Sequence, residues 1–199
     1  MITSTNMEET MNGKLAHERF AHNHGVKIQH YRGDNMRYNK QDSITSCESN
    51  KQKYDLCGAG GHHQNGIAEA HNKTLVYGGI TIFLHAKRIW LKVINATLWP
   101  YALLATAKRH NKLSLDENGD SSLEKFSGTK EEIMSIGWHT WGCPIFVLAE
   151  AYQKRVGVRV YLGYSPVHVG NVALVLNLLP GHVGPQYHVV FDDEFTTVD

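Results

Sequence analysis

The sequence predicts an α/β segment followed by a small antiparallel β module. Three observations predict it. The run Val26-Lys27-Ile28-Gln29-His30-Tyr31 alternates and is rich in β-branched and aromatic residues, with helical stretches on both sides. Two longer helical stretches follow, near residues 66–86 and 98–112. From residue 137 the chain becomes a series of short strand-like runs separated by turn residues, at a spacing that suits a small barrel or sheet.

Taken in order, residues 1–12 are polar and read as a disordered tail. Gly13 to His24 reads as a helix carrying Leu15, Ala16 and Phe20, with Gly25 as its stop. The strand Val26–Tyr31 comes next, and Asp34 stands just past its carboxyl end, where ligand sites of α/β sheets gather. Asp42 to Lys53 reads as a short polar helix, and Tyr54–Cys57 as a brief strand. Gly58-Ala59-Gly60-Gly61 is a loop, and no Gly-Lys-Ser/Thr follows to make it a phosphate-binding one.

A helix is expected from Gly66 or Ile67 to about Ala86. Gly78-Gly79 lies inside it, at a cost of roughly 1 kcal/mol per glycine against alanine, and is expected to weaken it. The next helix runs from about Leu98 to Lys112, with Pro100 in its first turn. Asp116 to Ser122 is polar and turn-rich. Strand-like runs then occur at residues 143–148, 158–162, 172–176 and 187–191. The expected organisation is a tail at 1–12, an α/β core at 13–115, a linker at 116–136 and a β module at 137–199.

Charge balance excludes a globally basic or acidic partner preference: 20 Lys and Arg face 19 Asp and Glu. Locally the balance breaks. No Asp or Glu occurs from Ala70 to Leu115, while Lys73, Lys87, Arg88, Lys92, Lys108, Arg109 and Lys112 do. Such a helical basic stretch can track phosphates, or be an ordinary solvated face. The three cysteines form no Cys-x-x-Cys pair, so neither a disulfide scaffold nor a structural zinc site is expected. Met1–Asn12 has no apolar signal core, and no run of about 18 apolar residues occurs. An intracellular protein, nuclear or cytoplasmic and not secreted, with no membrane partner, is expected.

Two carboxylates stand out. A strand-end Asp34 and a helix-borne Glu69 can converge on divalent metal, as nuclease and strand-transfer sites require. Residues three and four apart share a helix face, so Asn72 and Lys73 project beside Glu69. A carboxylate, an amide and an ammonium there suit metal, base edge and phosphate. An exposed polar helix face is the plainer reading of the same triplet. Trp138, Trp141, Tyr161 and Tyr164 suit base stacking, but aromatics in short strands usually fill a core, and core is the expectation.

The local order carries more. Gly33-Asp34-Asn35 after a strand, then His62-His63-Gln64-Asn65-Gly66-Ile67-Ala68-Glu69, resembles the catalytic core of copia-type LTR retrotransposon integrases. Gly66-Ile67-Ala68-Glu69-Ala70-His71-Asn72-Lys73 looks like the glutamate helix of retroviral integrases. Ser122–Gly128 is similar to the family's "SPxExFxG" segment. Trp141–Leu148 looks like its "WGCPVYVL" strand, Tyr161–Pro166 its "FLGYSP" turn, and Pro185–Asp193 its "PQ(F/Y)HVVFDD" end. The blocks follow the family order.

The resemblance implies part of a ribonuclease H-like core followed by a small β-barrel module. It implies Mg²⁺ or Mn²⁺, DNA (element ends and target) as partner, a homo-oligomer, and polynucleotidyl transfer in DNA integration. Asp34 and Glu69 match the second Asp and the Glu of the family's metal-holding Asp–Asp–Glu triad. His63, Asn65, Asn72 and Lys73 match positions that approach DNA. Departures accompany the match. Residues 1–33 contain no Asp to serve as the first of the triad. Met36 stands where the family usually has Gly, and Ala70 where copia-type chains usually carry a basic residue. The expectation is a truncated relative, inactive alone. The alternatives are a non-catalytic nucleic-acid-binding module and a structural β module over residues 137–195.

Overall fold

A computed structural model describes residues 7–33, 41–58, 65–130, 137–147, 156–168 and 172–198. The chain divides into two units, Met1–Lys73 with Leu123–Lys130, and Thr74–Ser122 with Glu131–Asp199.

The first unit opens with α1 (Met7–Asn23), which starts ahead of Gly13 because Glu8 and Glu9 fill its first turn. Acids there complement the positive end of the helix dipole. Gly25 ends it as expected: at φ +72° its N–H donates to His22 O at 2.9 Å, and Val26 N–H reaches back to Ala21 O at 2.9 Å. This paired closure is a Schellman motif.

The motif also shortens the strand expected over Val26–Tyr31. Val26 is spent on closing α1, and β1 is His30–Gly33. Its partner β2 (Lys53–Leu56) lies parallel, in register from His30↔Lys53 to Gly33↔Leu56. The chain passes from one to the other through α2 (Gln41–Ser49), so the three form a β–α–β unit.

A part-buried polar cluster links α1, β1 and α2 in this unit. Lys14 Nζ donates to Glu18 Oε1 at 2.8 Å, to Ser46 Oγ on α2 at 3.1 Å and to Gln52 Oε1 at 3.1 Å. Gln52 Nε2 and the Tyr31 hydroxyl also donate to Glu18 Oε1, at 2.7 and 3.2 Å. Burial pushes the Glu18 carboxyl up, but its bonds from Lys14, Gln52 and Tyr31 outweigh that and hold it below the usual range. Near the end of the chain segment that completes this unit, Phe126 of α5 (Ser122–Ser127) stacks on Phe20 with centroids 5.9 Å apart.

α3 spans Gly66–Ile89. The weakness expected at Gly78-Gly79 is absent, and packing explains why. A Cβ on Gly78 would lie 2.6 Å from Thr106 Cγ2, and one on Gly79 would lie 3.1 Å from the Trp99 ring. Both glycines therefore admit α4 (Trp99–Leu113) to close range, which offsets their poor helix propensity.

In the second unit, Ala86, Trp90, Ile94, Leu98 and Ala102 recur every fourth residue and are all buried. They run from the end of α3, through a 3-10 turn at Ala96–Leu98, into α4. Asn95 caps that turn, its Oδ1 accepting from Thr97 N–H at 3.0 Å. Pro100 sits in the first turn of α4, as expected. Beyond α4, Asp116 folds the polar segment into a turn by accepting from Asn118 and Asp120 N–H, each at 2.9 Å.

Against that ladder packs an antiparallel sheet of β3 (Pro144–Val147), β4 (Val156–Tyr164), β5 (Ala173–Leu176), β6 (Val183–Gln186) and β7 (Val189–Phe191). Its order is β6-β5-β4-β3-β7. In β5 the burial alternates, with Ala173 and Val175 in the core, as the period of two requires, while residues 141–145, which lead into β3, are buried throughout. Trp141, Tyr161 and Tyr164 are buried there, as expected of core aromatics, while Trp138 is only half-buried.

Strand β6 was not expected, because Gly184 and Pro185 break its pattern. The sheet order explains it: β6 is an edge strand, where a proline's missing N–H costs no ladder bond. A closed barrel was expected. Among the described residues the ladder is an open five-stranded sheet, with no pairing between β6 and β7.

The sheet is nonetheless curled. Only Tyr187 and His188 join β6 to β7, three Cα steps of about 3.8 Å each. In a flat sheet those edges would stand about 19 Å apart, four spacings of about 4.8 Å. Among the described residues no helix is long and apolar enough to cross a membrane.

Candidate nucleic-acid interface

The first two turns of α3 carry the residues singled out in the sequence. Glu69 is in the first turn, where the helix dipole favours an acid. Asn72 and Lys73 follow at the third and fourth positions, so the three share one face, and all three are exposed. Asn65 stands immediately before the helix and is half-buried. Asp34 and His63 lie outside the described residues. In sequence, Asp34 directly follows Gly33, the last residue of β1.

This face can offer one carboxylate, one amide and one ammonium to a ligand. Glu69 is the only acid on α3. A two-metal centre draws carboxylates from several elements. Among the described residues no three His, Cys, Asp or Glu side chains gather to hold a metal.

The remaining polar clusters are structural. Asp192 closes the turn after β7 by accepting from Thr196 N–H and Oγ1, at 3.0 and 3.1 Å, and from Thr197 N–H and Oγ1, at 2.8 and 2.6 Å. Partial burial raises its carboxyl, and these bonds more than offset that, holding it below the usual range. Asp193 Oδ2 lies 2.8 Å from His139 Nδ1, and its Oδ1 accepts from Thr140 N–H at 2.6 Å. His139 in turn lies flat on Phe191, with centroids 3.4 Å apart. Burial, with Asp193 and Asp192 nearby, pushes the Cys143 thiol well up. Burial also raises the Cys47 thiol. A nucleophilic thiolate is therefore not favoured at either.

Sequence reasoning missed one feature. The second unit contains a cleft of about 570 Å³ lined by α3, α4 and the strand-side aromatics, with Lys108, Arg109, His85 and Trp138 among its walls. Lys108 Nζ sits 5.3 Å from the Tyr164 ring centroid. The basic pair was visible in the sequence, but its convergence with aromatics from beyond residue 137 was not.

No family model matches this sequence, and no curated protein matches it. Among solved structures, the chain is similar to one in the simian T-cell lymphotropic virus intasome in complex with PP2A regulatory subunit B56 gamma. The identity is 12% and the TM-score 0.46. The match covers 94% of this chain, which spans 64% of the length of that one.

Proposed function

We propose that this chain is a DNA-binding relative of copia-type integrases that does not carry out strand transfer by itself. The observation that carries the reading is Glu69, in the first turn of a long helix, with Asn72 and Lys73 exposed on the same face. The sequence order around it supports the same reading, from Gly33-Asp34-Asn35 through the Trp141–Leu148 and Pro185–Asp193 blocks. The stretch without acids from Ala70 to Leu115 adds a field that attracts phosphates. On this reading a β-barrel-like module follows a ribonuclease H-like core, and Asp34 and Glu69 belong to its metal-holding set.

Binding to duplex DNA should weaken steeply as salt rises, because each phosphate contact releases counterions. Lys73→Ala should lower the log–log salt slope by about one unit and weaken all sequences alike. The measurement is fluorescence anisotropy over a salt series. Binding that is absent, or indifferent to salt, would sink the reading.

Strand transfer and 3′-end trimming should both be undetectable with the purified chain in Mg²⁺ or Mn²⁺. Residues 1–33 supply no aspartate, and two carboxylates do not complete a two-metal centre. Activity that appears with Mg²⁺ and vanishes in Glu69→Gln would show the chain to be an enzyme.

A further inference from the structure

We propose that the second half of α3 is a docking surface for an acidic amphipathic helix of a partner protein. Val76, Ile80 and Leu84 stand four residues apart and form one ridge along the helix, with Tyr77 beside it. All four are between 38% and 60% exposed. Single apolar side chains on a surface call for no explanation, but a continuous row with charge at its rim marks an interaction site. α4 approaches this helix at Gly78 and Gly79, on a different side, and leaves the ridge uncovered. Arg88 continues the ridge by one turn, and Lys92 follows in the turn past the helix end. Both are exposed, and no described carboxylate pairs with either.

Charge and shape select the occupant. From Ala70 to Leu115 the chain has no acid, so every charged side chain on this part of α3 and in the turn after it is a cation. A partner that covers the ridge has to bring carboxylates. A second copy brings more cations, because its own ridge would set Arg88 and Lys92 against their like. DNA phosphates would satisfy the cations and leave the apolar row in water. A lipid surface suits side chains that protrude, as Leu179 does at 97% exposed, whereas those of the ridge are half-sunk. Half-sunk rows at a spacing of four are what two helices interdigitate, the ridge of one in the groove of the other. A helix with its own apolar row and Asp or Glu along the border meets both demands. The ridge lies wholly within the second unit and uses neither Glu69 nor Lys73, so it stands apart from the preceding reading.

The probe is a fluorescein-labelled peptide three heptads long, with leucine at the two seam positions of each heptad and glutamate beside them. Its control carries lysine in place of glutamate. Each is titrated with the full chain and read by anisotropy. The acidic peptide should bind saturably, and about tenfold tighter than the basic one. Leu84→Gln should weaken it about tenfold, the loss of one leucine contact, while leaving the melting temperature and duplex binding nearly unchanged because the side chain is exposed. Arg88→Glu together with Lys92→Glu should reverse the preference, so that the basic peptide binds the tighter. No saturable binding to a folded chain, equal binding of the two peptides, or binding that ignores Leu84→Gln would overturn the proposal. So would a dimer that Leu84→Gln dissolves, which names a second copy as the occupant. Vesicles of phosphatidylserine and phosphatidylcholine that bind through Leu84 where the peptide does not would overturn it as well. Loss of duplex binding with peptide binding intact sinks only the earlier reading, and the converse sinks only this one.

Discussion

Gly142→Ala is expected to destabilise the second unit by about 2–5 kcal/mol, a large share of the stability of a small domain. Two costs combine. Gly142 has φ +82°, which an alanine adopts only with strain of about 1–2 kcal/mol. Its new Cβ would also lie 2.5 Å from Ala86 Cβ, and Ala86 is fully buried. Neither side can retreat, because Gly142 N–H is tied to Tyr161 O at 2.8 Å and α3 is fixed at Ala86 by the core. Chemical unfolding followed by tryptophan fluorescence measures this directly, since all four tryptophans, Trp90, Trp99, Trp138 and Trp141, belong to this unit. Gly119→Ala is the control. It has φ +77° and nothing within 4 Å of the added methyl, so it should show the conformational cost alone. Equal effects of the two substitutions would remove the proposed clash, and Ala86→Gly should partly rescue Gly142→Ala if the clash is real.

Lys14→Met should have a comparable effect on the first unit, about 3 kcal/mol or more. The Lys14 side chain is only 7% exposed and Glu18 only 19%, so removing the ammonium leaves a part-buried carboxylate with no cation and only the neutral donors of Gln52 and Tyr31. Glu18→Gln placed on top of Lys14→Met should recover part of the loss, because the amide carries no charge. The pH dependence follows from the same pair. Glu18 has a folded-state value below its ordinary 4.5, so the stability it contributes is present above that value. It is lost as pH falls through the lowered one. Amide hydrogen exchange in α1 and α2 should therefore accelerate below about pH 4.5, and Glu18→Gln should flatten that response. An acid response that survives Glu18→Gln unchanged would assign it to other carboxylates.

Much of this fold was legible because local chemistry and tertiary packing agreed. The Gly25 stop, Pro100 in the first turn of α4 and the strand runs at β3 and β5 each obey a rule that acts within a few residues. The misreadings share a cause. Gly78-Gly79 looks like a flaw in a helix until α4 lies against it, and Pro185 argues against a strand until that strand proves to be an edge. In both cases the deciding partner is distant in sequence. The candidate site divides the same way. Helical spacing alone puts Glu69, Asn72 and Lys73 on one face, whereas Lys108 meets the Tyr164 ring only once the chain is packed.

The short link between β6 and β7 has a consequence for how the second sheet assembles. β3, β4, β5 and β6 can zip one after another, each onto its predecessor. β7 has no such freedom. It pairs with β3, the first strand of the sheet, and the short link from β6 allows this in the finished sheet only because the intervening strands bend round. Loop closure of that span has to be met before its contacts reward it. Pairing of Ile145 with Phe191 is thus the longest-range closure of the sheet, and the two-residue link Tyr187-His188 ties it to the bending that brings β6 near β7.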